Sequence, residues 1–143
     1  MTTRVAALLQ GKGHDVLTVT PESSVGALVK LLAERRIGAL PVVDGDGRLK
    51  GIVSERDVVR ALAADSGVME RRVDSLMTRD VKTCGPQDAV VELMEVMTRE
   101  RFRHLPVIEN GRLVGIISIG DVVKQRVAEA QYELEALTSY INS

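Results

Sequence analysis

Apolar positions in this chain fall into short blocks that alternate between helical and strand periods, and the whole series of blocks is written twice. Val5, Leu8 and Leu9 recur at helical spacing over 3–10, which predicts a short amphipathic helix ended by Gly11 and Gly13. Residues 16–19 read as a short strand ahead of Pro21. Ser23 or Ser24 then caps a helix running to about Arg36, with Val25, Leu28, Val29 and Leu32 on one face. Ala39–Val43 is an apolar strand. The turn Asp44-Gly45-Asp46-Gly47 leads into a second strand at 49–53, making a hairpin. A further helix starts at Ser54 and ends near Ser66-Gly67.

Shifted by 65 positions, residues 16–60 fall on 81–124 with 18 identities over 44 aligned positions, one residue being gapped at Asp46. Val16-x-Thr18-x-x-Pro21 meets Val81-x-Thr83-x-x-Pro86, Leu40-Pro41-Val42 meets Leu105-Pro106-Val107, and GRLKGIVSERDVVR meets GRLVGIISIGDVVK. Such a repeat is one supersecondary unit, β-α-β-β-α, used twice with pseudo-two-fold symmetry. The second hairpin turn tightens to Asn110-Gly111. A copy of about 45 residues is too small to hold a core alone, so the two are expected to share one. Residues 73–77 read as a short linker helix. Beyond Asp121 the last helix outruns its counterpart, and Val123, Val127, Ala130, Leu134, Leu137 and Ile141 form a heptad-like stripe. That stripe fits self-association, or a helix folded back on its own copy. The organisation is therefore 1–67 for the first helix and first repeat, 68–80 for the linker, and 81–143 for the second repeat with its long helix. The fold class is α/β (α+β).

Composition narrows the function. Apolar residues make up 45% of the chain and aromatics 2%, so bases have almost nothing to stack on. A net charge of −1 supplies no field for a phosphate polymer, and nucleic acid is not an expected partner. A single cysteine, Cys84, precludes an internal disulfide and a zinc cluster, and reads as a small core residue. His14 reads as a solvated loop residue. Without a signal-like start or a membrane-length apolar run, the expectation is a soluble cytoplasmic protein away from membranes. Gly45-x-Gly47-x-x-x-Gly51 lies in a hairpin with the wrong spacing for a dinucleotide loop, and Asp44, Asp46 and Glu55 lack the remaining oxygen ligands of a calcium loop. No nucleophile–base pair or carboxylate dyad marks an enzyme.

The chemistry concentrates where the second hairpin strand of each copy runs into a helix, at Gly51-x-x-Ser54-x-x-Asp57 and Gly115-x-x-Ser118-x-x-Asp121. Ser followed three residues later by an acid is a capping box, which stabilises a helix start by about 1 kcal/mol. The same geometry points backbone N–H groups at an anion and sets a carboxylate beside them, able to accept hydrogen bonds from a ribose diol. Both readings fit one residue set.

In order and in duplicate, Thr-x-x-Pro, Leu-Pro-Val and Gly-x-x-Ser-x-x-Asp within β-α-β-β-α resemble the cystathionine-β-synthase (CBS) domain, and the tandem arrangement resembles a stand-alone CBS pair over nearly the whole chain. The resemblance implies adenine-nucleotide binding in two clefts between the copies, with AMP foremost and ADP, ATP, NAD(H) or S-adenosylmethionine as further ligands. Transferred by position, it places Thr18, Arg103, His104, Ser118, Ile119, Gly120 and Asp121 in one site, and Gly38, Ser54, Arg56, Asp57 and Thr83 in the other. Asp121 and Asp57 would hold ribose hydroxyls, Ser118 and Ser54 would approach phosphate, and strands around Leu40 and Leu105 would sandwich the adenine. Arg103-His104 replaces Gly38-Ala39, so the first site is expected to be the tighter. The resemblance further implies a regulatory sensor of energy or redox state, acting as a homodimer or through an unknown protein partner. The alternative is an interaction protein whose clefts are vestigial.

Overall fold

The computed structural model describes residues 3–13 and 15–142; His14 lies outside them. Helix α1 spans Val5–Lys12. The first copy then forms α2 (Val25–Arg35), β1 (Ala39–Val43), β2 (Leu49–Ser54) and α3 (Glu55–Ala64). Single 3₁₀ turns at Val68–Glu70 and Val73–Ser75 lead to the second copy, α4 (Val90–Glu100), β3 (His104–Glu109), β4 (Arg112–Ser118) and α5 (Ile119–Asn142). The expected linker helix is thus reduced to a 3₁₀ turn with one further bond, Met77 N–H to the Val73 carbonyl at 3.1 Å.

Each hairpin is antiparallel, with Val42 opposite Gly51 in one and Val107 opposite Gly115 in the other, and each carries a bulge just beyond that pair. Asn110 and Gly111 both take positive φ, 54° and 78°, the twist that a two-residue hairpin turn requires. The strands expected at 16–19 and its counterpart shrink to one residue each. Val19 bridges Val42 in parallel and Cys84 bridges Val107, with Val19 donating to the Pro41 carbonyl (3.1 Å) and accepting from Val43 N–H (2.9 Å). Pro21 and Pro86, two residues further on, cannot donate to a ladder and so stop the pairing.

The buried apolar side chains form two cores, not the single shared one expected from the size of a copy. One holds Val19, Val25, Leu28, Leu40, Val42, Val53 and Val58 of the first copy, closed by Val68, Val73 and Met77 of the connecting turns. The other holds Cys84, Val90, Leu93, Leu105, Val107, Ile117 and Val122 of the second copy, closed by Val5, Leu8 and Leu9 of α1. Each copy therefore recruits the segment that precedes the other in sequence or joins the two. The backbone repeats the exchange: Val5 and Ala6 donate to the carbonyls of Asp88 and Pro86, as Val73 and Asp74 do to Ser23 and Pro21. Burial, then Asp88, pushes the Cys84 thiol up to about 12. Between the copies, Leu113 N–H donates to the Gly47 carbonyl at 3.0 Å. The far end of α5 does not fold back; Val127, Leu134, Leu137 and Ile141 are exposed. No helix among the described residues is long and apolar enough to cross a membrane.

Candidate functional site

Both Ser-x-x-Asp segments fold as helix starts. Ser54 N–H donates to Asp57 Oδ2 at 2.8 Å while Asp57 N–H donates to Ser54 Oγ at 3.2 Å, a complete capping box. Ser118 and Asp121 repeat it at 2.8 and 3.1 Å. The glycine three residues earlier is fixed by packing: a Cβ on Gly51 would lie 2.6 Å from the Thr78 carbonyl oxygen, and one on Gly115 2.7 Å from a Leu9 methyl.

A cavity of about 680 Å³ opens between the copies. Its apolar wall is Val16, Leu17, Ile37, Leu40 and Pro41 from the first copy with Ile116 from the second; its polar rim is Lys12, Asp15, Arg35, Arg36, His104 and Ser118. The rim sets Lys12, Arg35 and Arg36 around one lining carboxylate, Asp15, with Lys12 itself ion-paired to Asp121. Arg36 sits in the left-handed region at φ 53°, ψ 46°, closing α2 through its own N–H to Leu32. That conformation costs a non-glycine residue about 1 kcal/mol or more. Its equivalent Arg101 takes the same conformation at φ 60°.

Lys12 links the cavity rim to the second helix start. Its ammonium donates to Asp121 Oδ2 at 2.5 Å and to the Ile116 carbonyl at 2.8 Å. Burial pushes the Asp121 carboxyl up, but the bonds from Lys12 and the Ser118 N–H outweigh it and hold the group below its ordinary value. His104 moves down, first through burial, then through Lys12, with Asp121 opposing and Arg103 adding to the fall. It is therefore mainly neutral at pH 7.

Of the residues expected together, His104 and Ser118 line this cavity, and Asp121 joins it through Lys12. Ile119 N–H donates to the Arg103 carbonyl at 2.8 Å, tying exposed Arg103 to the helix start. Gly120 is exposed, and a Cβ there would meet only Ser118 Oγ, at 3.6 Å. Thr18 stands one residue past Leu17 and is not part of the lining. Gly38, expected beside Asp57, does accept from Glu55 N–H at 2.9 Å at its own helix start, yet its other side lines the cavity with Ser118. Ser54, Arg56, Asp57 and Thr83 lie outside this lining. Lys12, Asp15, Arg35 and Arg36 were missed from the sequence. Arg36 left a signal, since it matches Arg101 in the repeat at a position with no apolar role; Lys12 left none.

Comparison with known proteins agrees with this architecture. The CBS domain model matches residues 13–64 and 73–128. A CBS-domain containing protein from Agrobacterium tumefaciens, 49% identical, superposes with a TM-score of 0.80 over 87% of this chain and 99% of its own. CBSX2, solved in complex with AMP, is 26% identical with a TM-score of 0.76 over 89% and 98%. The CBS domain pair of protein MJ0100, solved with 5′-methylthioadenosine and S-adenosyl-L-methionine, is 25% identical with a TM-score of 0.75 over 90% and 99%. The chain belongs to the CBS-domain family, as a pair of CBS repeats.

Proposed function

We propose that this protein is a regulatory module that binds an adenine nucleotide in the cavity between its repeats, with AMP the foremost ligand and ADP, ATP, NAD(H) and S-adenosylmethionine the others to test. The cavity carries the reading: an apolar wall suited to a purine and a cationic rim suited to phosphate, with the Asp121 carboxylate, suited to a ribose diol, joined to that rim through Lys12. Ligands of this class in the relatives CBSX2 and MJ0100 support it. A nucleotide here touches both repeats, so it shifts their arrangement by its differential affinity for the alternatives. As a regulatory module it passes that change to a partner protein or to its own assembly, in the cytoplasm.

That assembly is a homodimer. Val59 on α3 and Val123 on α5 occupy the same position of the repeat and both are exposed, and the stripe through Val127, Leu134 and Leu137 continues one face of α5. Apolar residues at alternating steps of four and three pair best with a copy of the same helix.

One observation favours the interaction-only alternative: Lys12 already engages the carboxylate a ribose would need. A thermal-shift titration with six ligands, AMP, ADP, ATP, NAD⁺, NADH and S-adenosylmethionine, repeated on Asp121→Ala, separates the readings. A saturating ligand at a hundred times its dissociation constant adds about 2.7 kcal/mol, several degrees for a domain of this size. A selective shift lost in Asp121→Ala supports the sensor; silence from all six leaves the clefts as scaffold.

A further inference from the structure

We propose that Lys12 acts as a stored cation that makes the cavity select 5′-phosphorylated adenosines over uncharged 5′-thioadenosines. This rests on the reading of Asp121 as the ribose acceptor. The two repeats are alike at their helix starts but differ in what meets the outer edge of the strand before them. In the first copy the Ile52 carbonyl accepts from Thr78 N–H at 2.9 Å, a fixed backbone bridge. At the equivalent Ile116 on β4 the facing segment is helix α1 instead, and the carbonyl accepts from the Lys12 ammonium at 2.8 Å. The difference follows from the preceding segments: Leu9 corresponds to Met77, and past these residues α1 runs on to Lys12 while the linker straightens into the bridge at Thr78. Lys12 therefore has no fixed backbone equivalent, and of the two motif carboxylates Asp121 carries an ammonium while, among the described residues, Asp57 does not.

Asp121 Oδ2 cannot serve everything at once. It accepts from Ser118 N–H at 2.8 Å and from Lys12 at 2.5 Å, so a ribose diol that bonds both carboxylate oxygens competes with the ammonium at Oδ2. Lys12 and Asp121 are still 35% and 26% exposed at their side chains, so the ion pair is a modest, breakable one. The lysine has a flexible stem and three donors, and it already lines the cavity, so a phosphate bound there takes the ammonium that the diol displaces. An uncharged thioadenosine displaces the same ammonium and supplies no anion in return. The rim cations Arg35 and Arg36 favour phosphate in any case, but they are not displaced by the diol and give no penalty to a neutral ligand. Lys12 does both.

Calorimetric titration of AMP and of 5′-methylthioadenosine against wild type, Lys12→Met and Lys12→Arg tests this. In Lys12→Met, AMP affinity falls and 5′-methylthioadenosine affinity holds or rises, so the ratio drops about tenfold. Lys12→Arg keeps most of the ratio, and its melting curve controls for folding. If wild type binds both and Lys12→Met leaves their ratio unchanged, the exchange is wrong while the nucleotide reading stands. If wild type binds neither, both fall together.

Discussion

Leu9 and Met77 are structural equivalents, each laid over the glycine of a Gly-x-x-Ser-x-x-Asp motif, Leu9 on Gly115 and Met77 on Gly51. The helix at the start of the chain and the turn in its middle thus do the same work for opposite repeats, closing two separate cores. They close them with different tolerance. A Cβ on Gly51 meets a backbone oxygen at 2.6 Å, which a bridge to Ile52 holds in place; a Cβ on Gly115 meets the end of the Leu9 side chain at 2.7 Å, which can rotate more readily than a paired backbone can shift. Gly51→Ala is therefore expected to destabilise by about 2–3 kcal/mol and Gly115→Ala by about 1 kcal/mol, within the usual span for overpacking. Urea denaturation of the two variants decides it, and equal losses would sink the distinction.

Arg36 is strained and lines the cavity, a combination that ties stability to binding. Glycine relieves the left-handed backbone, so Arg36→Gly should gain about 1 kcal/mol, or about 3 °C in Tm. The same change removes a rim cation, and affinity for AMP should fall several-fold while affinity for an uncharged adenosine holds. A variant that is more stable and binds AMP as well as wild type would show that Arg36 serves only as a helix cap.

The downward shift of His104 fixes a sign for pH dependence. Its folded value lies below the unfolded value of about 6.5, so the unfolded chain binds the proton first on acidification. Stability from this group is full above pH 6.5 and is lost as pH falls through the folded value. Asp121 is also lowered, and its contribution is lost only below about pH 4, as pH falls through its folded value. Wild type should therefore weaken between pH 7 and pH 5, and His104→Gln should flatten that part of the curve. Because Lys12 is the second cause of the His104 shift, Lys12→Met should move the imidazole midpoint upward in an NMR titration. A midpoint unmoved in Lys12→Met would mean that the ammonium does not face the ring.

Much of this was legible in the sequence, for identifiable reasons. Helix periods marked α2 and α4, strand alternation and Asn110-Gly111 marked the hairpins, and the duplicated Ser-x-x-Asp marked two helix starts that both fold as capping boxes. What stayed hidden was long-range. Val5 and Leu9 carry the same four-residue spacing as Val73 and Met77, but local pattern does not say which repeat each pair will close. Nothing in spacing links Lys12 to Asp121, the contact that most alters the site. The strand at 16–19 was overread because four apolar-leaning residues look alike whether they pair along their length or, like Val19, at one point.

The exposed stripe of α5 gives the last test, because it separates assembly from binding. Val127, Leu134, Leu137 and Ile141 lie beyond Val122, the last buried residue of the helix, so substitutions at 134 and 137 leave both cores untouched. Leu134→Lys with Leu137→Lys places like charges on the two facing helices of a dimer, where apolar contacts would otherwise be buried. Sedimentation should show wild type at twice the monomer mass and the double variant at the monomer mass, with an unchanged melting response to AMP at protein concentrations where both are monomeric. A double variant that stays dimeric would move the interface to the exposed faces around Val59 and Val123, which the two repeats present in equivalent positions. Loss of the AMP response in the monomer would instead mean that the cavity is completed by the partner copy, and the nucleotide would then control assembly directly through the site it occupies.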